Sequence, residues 1–251
     1  MTDTVLPPQG IGAAEAPLLD IENVSAGYGP FRALFDVSFS VPAKGALALV
    51  GPNGAGKTTL ARVCTGLLAP TGGRVRFAGD DVTGWPAHVL ARRGVAHANE
   101  GRSVFASLTV EENLTLAFRS IAGRSGVAKA LEEAYELFEP LRPRRQQIAG
   151  SLSGGEQRML TLARVLVVKP RLLMADELSL GLAPLVIDEV YRMLVRVREA
   201  GTTVVIVEQH LDRALAFADE LVVLDTGEVV WAGPSTNLDD RATGFLQGPG
   251  R

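Results

Sequence analysis

The chain has 251 residues, 47% of them hydrophobic and 21% charged, with a net charge of -3 and a pI near 5.7. That is enough for one large domain with a sizeable core, and it excludes the basic balance expected of a nucleic-acid binder. Cys64 is the single cysteine, so no intrachain disulfide can form, which fits a reducing compartment; His88, His97 and His210 are too scattered for metal-ligand spacing.

In chain order, Met1 to Pro17 carries Pro7, Pro8, Gly10, Gly12 and Pro17 with acids and no Lys or Arg. It reads as a flexible extension, not a secretory signal. No apolar run reaches the roughly 18 residues needed to cross a bilayer. Leu18 to Val24 partly alternates and predicts a strand, and Ser25-Ala26-Gly27-Tyr28-Gly29-Pro30 predicts a turn. Ala33 to Val41 alternates again, as an antiparallel strand does, and Ala46 to Val50 is a short apolar run suited to a buried strand.

Gly51-Pro52-Asn53-Gly54-Ala55-Gly56-Lys57-Thr58 follows, then Thr59 to Cys64 without a helix breaker. Strand, glycine loop and helix start is the context of a phosphate-cradling loop. Gly51, Gly54 and Gly56, with Asn53, let the backbone wrap so that its N–H groups point inward. The helix amino end adds partial positive charge there. Lys57 can reach the outer phosphates, Thr58 can hold Mg²⁺ through its hydroxyl, and Thr59 continues the phosphate-facing turn.

Beyond the helix, Arg74 to Ala78 is an alternating strand and Gly94 to Ala98 a short buried one. Thr109-Val110-Glu111-Glu112 is a capping box opening a helix to about Ser120; Ala128 to Phe138 is a second helix, closed by Pro140 and Pro143. The stretch from about 84 to 151 is a mostly helical insert. Leu152-Ser153-Gly154-Gly155-Glu156-Gln157 opens a helix to Lys169, and Ser153, Gly154 and Gly155 make a second anion-binding helix start. A plain Ser N-cap would look the same.

Leu172 to Ala175 is a buried strand ending in Asp176-Glu177. Ligands bind at the carboxyl ends of strands in open α/β sheets. Asp176 would hold Mg²⁺ beside Thr58, and Glu177 would deprotonate a water aimed at the γ-phosphate. Pro184 starts a helix to about Ala200; Thr202 to Val207 is a strand, Leu211 to Ala218 a helix, and Leu221 to Leu224 and Glu228 to Trp231 form a hairpin about Thr226-Gly227. Strands alternating with helices predict a parallel α/β sheet, with the early antiparallel strands as a second sheet.

Gly51–Thr58, Leu152–Glu156 and Leu172–Glu177, in that order, resemble the Walker A, signature and Walker B motifs of ABC-transporter ATPase subunits. The likeness covers about residues 18 to 235, within a single ATPase domain taken as 18–251. It implies an α/β fold of the P-loop ABC ATPase type, with a parallel core sheet, an antiparallel β subdomain and a helical subdomain. It implies ATP and Mg²⁺, and a head-to-tail pair of cassettes in which each ATP lies between one subunit's Walker A and the other's signature. Tyr28 matches the aromatic that stacks on adenine.

A narrower resemblance is to the ATPases of branched-chain amino-acid importers, carried by Asn99-Glu100-Gly101-Arg102, Leu108 to Leu114, Ser179 to Pro184 and Val207-Glu208-Gln209. Glu100 stands where most of the family has the Gln of its Q-loop, and is a candidate for catalysis and for the metal. Asn99 and Leu178 replace expected prolines, which loosens backbone restraint. At the switch position, where most of the family has a histidine, Gln209 and His210 stand side by side. Family register favours Gln209, with His210 as its nucleotide-facing neighbour.

The resemblance implies an ATP-hydrolysing subunit of an importer, peripheral to the cytoplasmic face of the cell membrane. Its partners would be permease subunits and a second ABC ATPase, not nucleic acid. The rivals are a soluble ABC ATPase uncoupled from transport, a small-molecule P-loop kinase, and a cassette that binds ATP without hydrolysing it. Glu177 argues against the last, and the LSGGE run against the kinase.

Overall fold

The computed structural model describes residues 16–98, 104–166 and 169–238. In chain order the elements are β1 (Leu19–Tyr28), β2 (Phe31–Val41), β3 (Ala46–Val50), α1 (Lys57–Cys64), β4 (Gly72–Phe77), β5 (Asp80–Asp81), α2 (Ala87–Arg92), β6 (Val95–Ala98), α3 (Val110–Leu137), α4 (Gly154–Leu166), β7 (Leu172–Asp176), α5 (Pro184–Glu199), β8 (Thr203–Glu208), α6 (Leu211–Phe217), β9 (Glu220–Asp225) and β10 (Glu228–Pro234).

The strands form two sheets. One is antiparallel, in the order β2-β1-β4-β5; the other runs β10-β9-β3-β8-β7-β6 and is parallel except for β10. β3, β7 and β8 are buried along their whole length, as central parallel strands with both faces covered must be. One face of the core sheet packs on α3, α4, α5 and α6 through residues such as Phe118, Leu160, Leu194 and Phe217. The other face and the antiparallel sheet enclose α1, whose Leu60, Ala61, Val63 and Cys64 join Leu19, Ile21, Val205 and Val222 in a second core. The helix that follows the glycine loop is therefore clamped between two sheets.

Sequence and structure part at two places. β1 runs on through Gly27 and Tyr28, where a turn was expected, and Tyr28 pairs with Phe31. The glycine there serves close approach within a strand: a Cβ on Gly27 would lie 2.1 Å from the Phe31 carbonyl oxygen. The turn shrinks to Gly29-Pro30. The two helices expected after Thr109 are both present but longer than expected: Gly123 (φ 66°, ψ 177°) breaks α3, and the two segments meet there instead of being separated by residues 121–127. The start of α3 is the expected capping box: Thr109 Oγ1 accepts from Glu112 N at 3.1 Å and Glu112 Oε2 accepts from Thr109 N at 2.8 Å. Within the stretch 84–151, β6 belongs to the core sheet, so the helical elements proper lie beyond it.

Candidate nucleotide site

The parallel register brings the chemistry to one edge. Val50, the last residue before the glycine loop, pairs with Glu208, and Asp176 pairs with Val207. The loop 51–56, the acid pair after β7 and Gln209 after β8 thus emerge at the carboxyl ends of three neighbouring strands, where α/β sheets place their ligands.

The loop is held by its glycines. Gly51, Gly54 and Gly56 have φ of 155°, 84° and 101°. A Cβ on Gly51 would lie 2.1 Å from the Leu224 carbonyl oxygen, and one on Gly56 2.8 Å from Leu34 Cδ2. Bare backbone is required on both sides, and within the loop Ala55 N donates to Pro52 O at 3.2 Å. The tip of the β9–β10 hairpin braces the loop from behind. Thr226 and Gly227, at φ 48° and 84°, form a type I′ turn, and Gly227 N donates to Ala55 O at 3.0 Å. Asn53 and Gly54 are exposed at the mouth, while Thr59 is buried in the helix behind it.

Lys57 Nζ turns back onto the loop and donates to Gly51 O at 2.8 Å and Pro52 O at 3.0 Å. Burial pulls its ammonium below the usual lysine range, opposed by the carboxylates of Glu177, Asp176 and Glu208. Thr58 Oγ1 donates to Asp176 Oδ1 across 3.5 Å, a long contact. These are two oxygen donors with room between them, which suits a hard cation such as Mg²⁺.

Glu177 stands in the left-handed region, φ 48°, with its N–H on Val207 O at 3.1 Å. A glutamate rarely adopts that conformation, and it persists only where its surroundings hold it. Here it lifts the carboxylate off the strand line, and Gln209 Nε2 donates to Glu177 Oε1 at 2.8 Å. Of the two switch candidates, Gln209 reaches the acid. His210 is exposed at the N-cap of α6, where its side chain makes no capping bond. Leu178, where proline was expected, is buried.

Ser153 caps α4 through a reciprocal box: Glu156 N donates to Ser153 Oγ at 3.3 Å and Ser153 N donates to Glu156 Oε2 at 2.9 Å, with Arg144 Nε on Glu156 Oε1 at 2.6 Å. Ser153 and Gly154 are exposed. Among the described residues, no hydrogen bond or ion pair joins Ser153, Gly154 or Gly155 to residues 51–58. Tyr28 is exposed beside α1, its hydroxyl accepting from Arg62 Nη1 at 2.9 Å. Glu100, with Asn99, Gly101 and Arg102, lies outside the described residues.

Two residues near the acids escaped the sequence reading. His97, set aside there as scattered, lies in β6 beside β7, with Nε2 4.0 Å from Asp176 Oδ2 and Nδ1 3.1 Å from Thr65 Oγ1. Burial, then Arg62, pushes its pKa down to about 4, so at neutral pH it faces Asp176 uncharged and the contact is no ion pair. Glu208 was noticed only as part of a motif, yet it is 3% exposed and hydrogen-bonded on both oxygens. Alternation marks a strand residue but not what lies beyond its end. Two open clefts of about 490 and 510 Å³ run along α5 and are lined by none of the residues at the sheet edge.

The model of the family described as ABC transporter matches residues 34–179, from β2 through the acid pair. The chain belongs to the ABC transporter family. It is thus an ATP-binding cassette, an ATPase coupled to transport. The cassette is 40% identical over 213 residues to BraG of Pseudomonas aeruginosa, a high-affinity branched-chain amino acid transport ATP-binding protein, covering 85% of this chain and 91% of that one. It is 30% identical over 222 residues to LptB of Escherichia coli K12, a lipopolysaccharide export system ATP-binding protein, covering 88% and 92%. A crystal structure of an ATP-binding cassette of an ABC transporter in its ADP conformation superposes with a TM-score of 0.80 at 27% identity, covering 94% of this chain and all of that one. No helix among the described residues is long and apolar enough to cross a membrane.

Proposed function

We propose that this cassette energises an importer of branched-chain amino acids or related small polar solutes, with hydrolysis centred on Glu177. The hydrogen bond from Gln209 Nε2 to Glu177 Oε1 at 2.8 Å carries the catalytic part of this reading. It orients one carboxylate oxygen and leaves the other to take a proton from water. The N–H groups of the loop 51–57 bind the phosphates and Lys57 exchanges its carbonyl partners for them. Tyr28 offers a flat face to the base, which fixes the ring without reading its identity. Mg²⁺, when bound beside Thr58 and Asp176, offsets phosphate charge.

Ser153, Gly154 and Gly155 act in trans. The helix start, exposed at Ser153 and Gly154, completes the phosphate cradle of a second cassette, identical or paralogous. Closure on ATP and reopening after hydrolysis make the pair a two-state element. It works on permease subunits at the cytoplasmic face of the membrane, with Glu100 as the link from the γ-phosphate to the dock. The 40% identity to BraG over most of both chains supports import of branched-chain amino acids over the export role named for LptB.

The test is reconstitution of the cassette with candidate permeases in proteoliposomes containing ATP. Labelled leucine should cross only with the intact cassette. Glu177→Gln should bind ATP yet cut hydrolysis and uptake by roughly 10²-fold or more. Near-normal hydrolysis in that variant removes Glu177 as the base. Normal hydrolysis without uptake of any amino acid removes the cargo assignment alone.

A further inference from the structure

β8 ends in a carboxylate that the hydrolytic roles above leave unused. Glu208 is 3% exposed, and its two oxygens take four donors. Oε1 accepts from Ser179 Oγ at 2.5 Å and from Tyr191 Oη at 2.8 Å. Oε2 accepts from the backbone N–H of Gln209 at 3.1 Å and of His210 at 3.4 Å. An ionised carboxylate offers acceptors only, and four donors use about all of its lone-pair sites. Burial, then the Glu208 charge, raises the Tyr191 hydroxyl above the ordinary tyrosine range, so it remains a donor.

The four partners are not a random set. Gln209 is the residue whose side chain holds Glu177. Ser179 lies two residues beyond Glu177, on the far side of its left-handed backbone. Tyr191 comes from the middle of α5, anchored edge-on against Phe217 with ring centroids 5.9 Å apart. Glu208 therefore grips the chain on both sides of the Glu177–Gln209 pair and ties that grip to the helical layer. Capping two N–H groups at a strand end would need one oxygen and no serine or tyrosine. A buried carboxylate here would cost several kcal/mol if unpartnered, so four matched donors mark a site built around the charge.

We propose that Glu208 is the positioning residue of the hydrolytic site. Its Oε2 sets the backbone from which Gln209 reaches Glu177, and its Oε1 holds Ser179 so that the turn carrying the base keeps a single conformation. Glu208 touches neither water nor phosphate in this role, and it acts through its neighbours. This rests on the assignment of Glu177 as the base.

The experiment uses the full chain with MgATP, comparing Glu208→Gln, Tyr191→Phe, Gln209→Ala and Glu177→Gln. A Gln at 208 keeps the shape but can turn an N–H₂ toward donors. Its kcat should fall about tenfold or more while KM for ATP stays within about twofold. Tyr191→Phe, which keeps the ring and loses one donor, should lower kcat about two- to fivefold in the same pattern. Glu208→Gln combined with Gln209→Ala should be no slower than Gln209→Ala alone. Without nucleotide, amide hydrogen exchange at Gln209 and His210 should rise in Glu208→Gln while Val204–Val207 stay protected. The proposal is overturned if Glu208→Gln keeps the parental kcat while Glu177→Gln and Gln209→Ala lose theirs. It is also overturned if exchange rises evenly across the sheet and Tyr191→Phe turns over normally, since Glu208 would then be a fold residue only. Normal turnover in Glu177→Gln would overturn the base assignment, and this proposal with it.

Discussion

Two glycine-rich helix starts in this chain are proposed to face anions, and they are built in opposite ways. The loop 51–57 is wired into the core. Its glycines take left-handed backbone, its helix is enclosed by two sheets, a hairpin tip braces it, and Lys57 sits on its own carbonyls. The start of α4 is exposed at Ser153 and Gly154, whereas Gly155 is buried and a Cβ there would lie 2.6 Å from Val186 Cγ1. Its capping box satisfies the helix from within, and a Cβ on Gly154 would meet only Leu182 Cδ2 at ordinary contact, 3.6 Å. Sequence shows glycines and a helix in both. The packing embeds the first and leaves Ser153 and Gly154 of the second exposed, the contrast expected if the second is the half-site proposed above.

The largest effect should come from charging the open start. Ser153→Arg should abolish ATPase, by roughly 10²-fold or more, while ATP binding to the monomer keeps its Kd. Lys57→Ala should do the reverse first, weakening Kd about tenfold or more by removing a charge-assisted bond to phosphate. Both are read by fluorescent-nucleotide titration beside steady-state phosphate release. A large loss of monomer affinity in Ser153→Arg would place the two helix starts in one site, and the contrast would collapse.

A smaller effect sharpens the same contrast through stability. Gly51→Ala must push a methyl against the Leu224 carbonyl oxygen, 2.1 Å away, which rigid backbone cannot relieve. It should cost about 2 kcal/mol or more in denaturant unfolding. Gly154→Ala meets no such contact and replaces glycine in a helix, where alanine is preferred, so stability should hold or rise slightly. Equal losses at both positions would mean that the loop is no more embedded than the signature.

How much of this was legible beforehand follows from which interactions are local. The glycine loop, the acid pair, the Thr109 capping box and the Thr226-Gly227 hairpin depend on neighbours within a few residues, so their patterns are readable. Gly27 was not: its role is a close approach to Phe31, and in sequence it looks like any turn glycine. The two helices after Thr109 were legible but their bounds were not: both run on until Gly123, whose non-helical backbone separates them, so the break is one residue and not the span 121–127. His97 stands near Asp176 because β6 pairs with β7 across more than 70 residues of chain, a register no local pattern encodes. The contact of Gln209 with Glu177 depends on the direction of a side chain after a strand end, which no local pattern encodes.

The smallest effect concerns the buried face of the phosphate-loop helix. Cys64 is 1% exposed between the two sheets, and burial pushes its thiol up to about 12. In the unfolded chain the same thiol titrates near 8.5. The folded value is the higher one, so this contribution is intact below about pH 8.5 and is lost as pH rises toward 12, when only the unfolded chain releases the proton. Between pH 8 and pH 10 the loss from this group should be about 2 kcal/mol. Tyr135 and Tyr191 are also raised and destabilise in the same direction at higher pH, so the reading is a difference. Cys64→Ala should start less stable at pH 7 from lost packing, yet show a shallower decline to pH 10 than the parent. A thiol reagent at pH 8 should label the native cassette at the rate of its opening and the unfolded chain at once. If labelling is fast in the native state, or if the two pH slopes coincide, α1 is not sealed between the sheets. The embedded side of the comparison would then fail at its deepest residue.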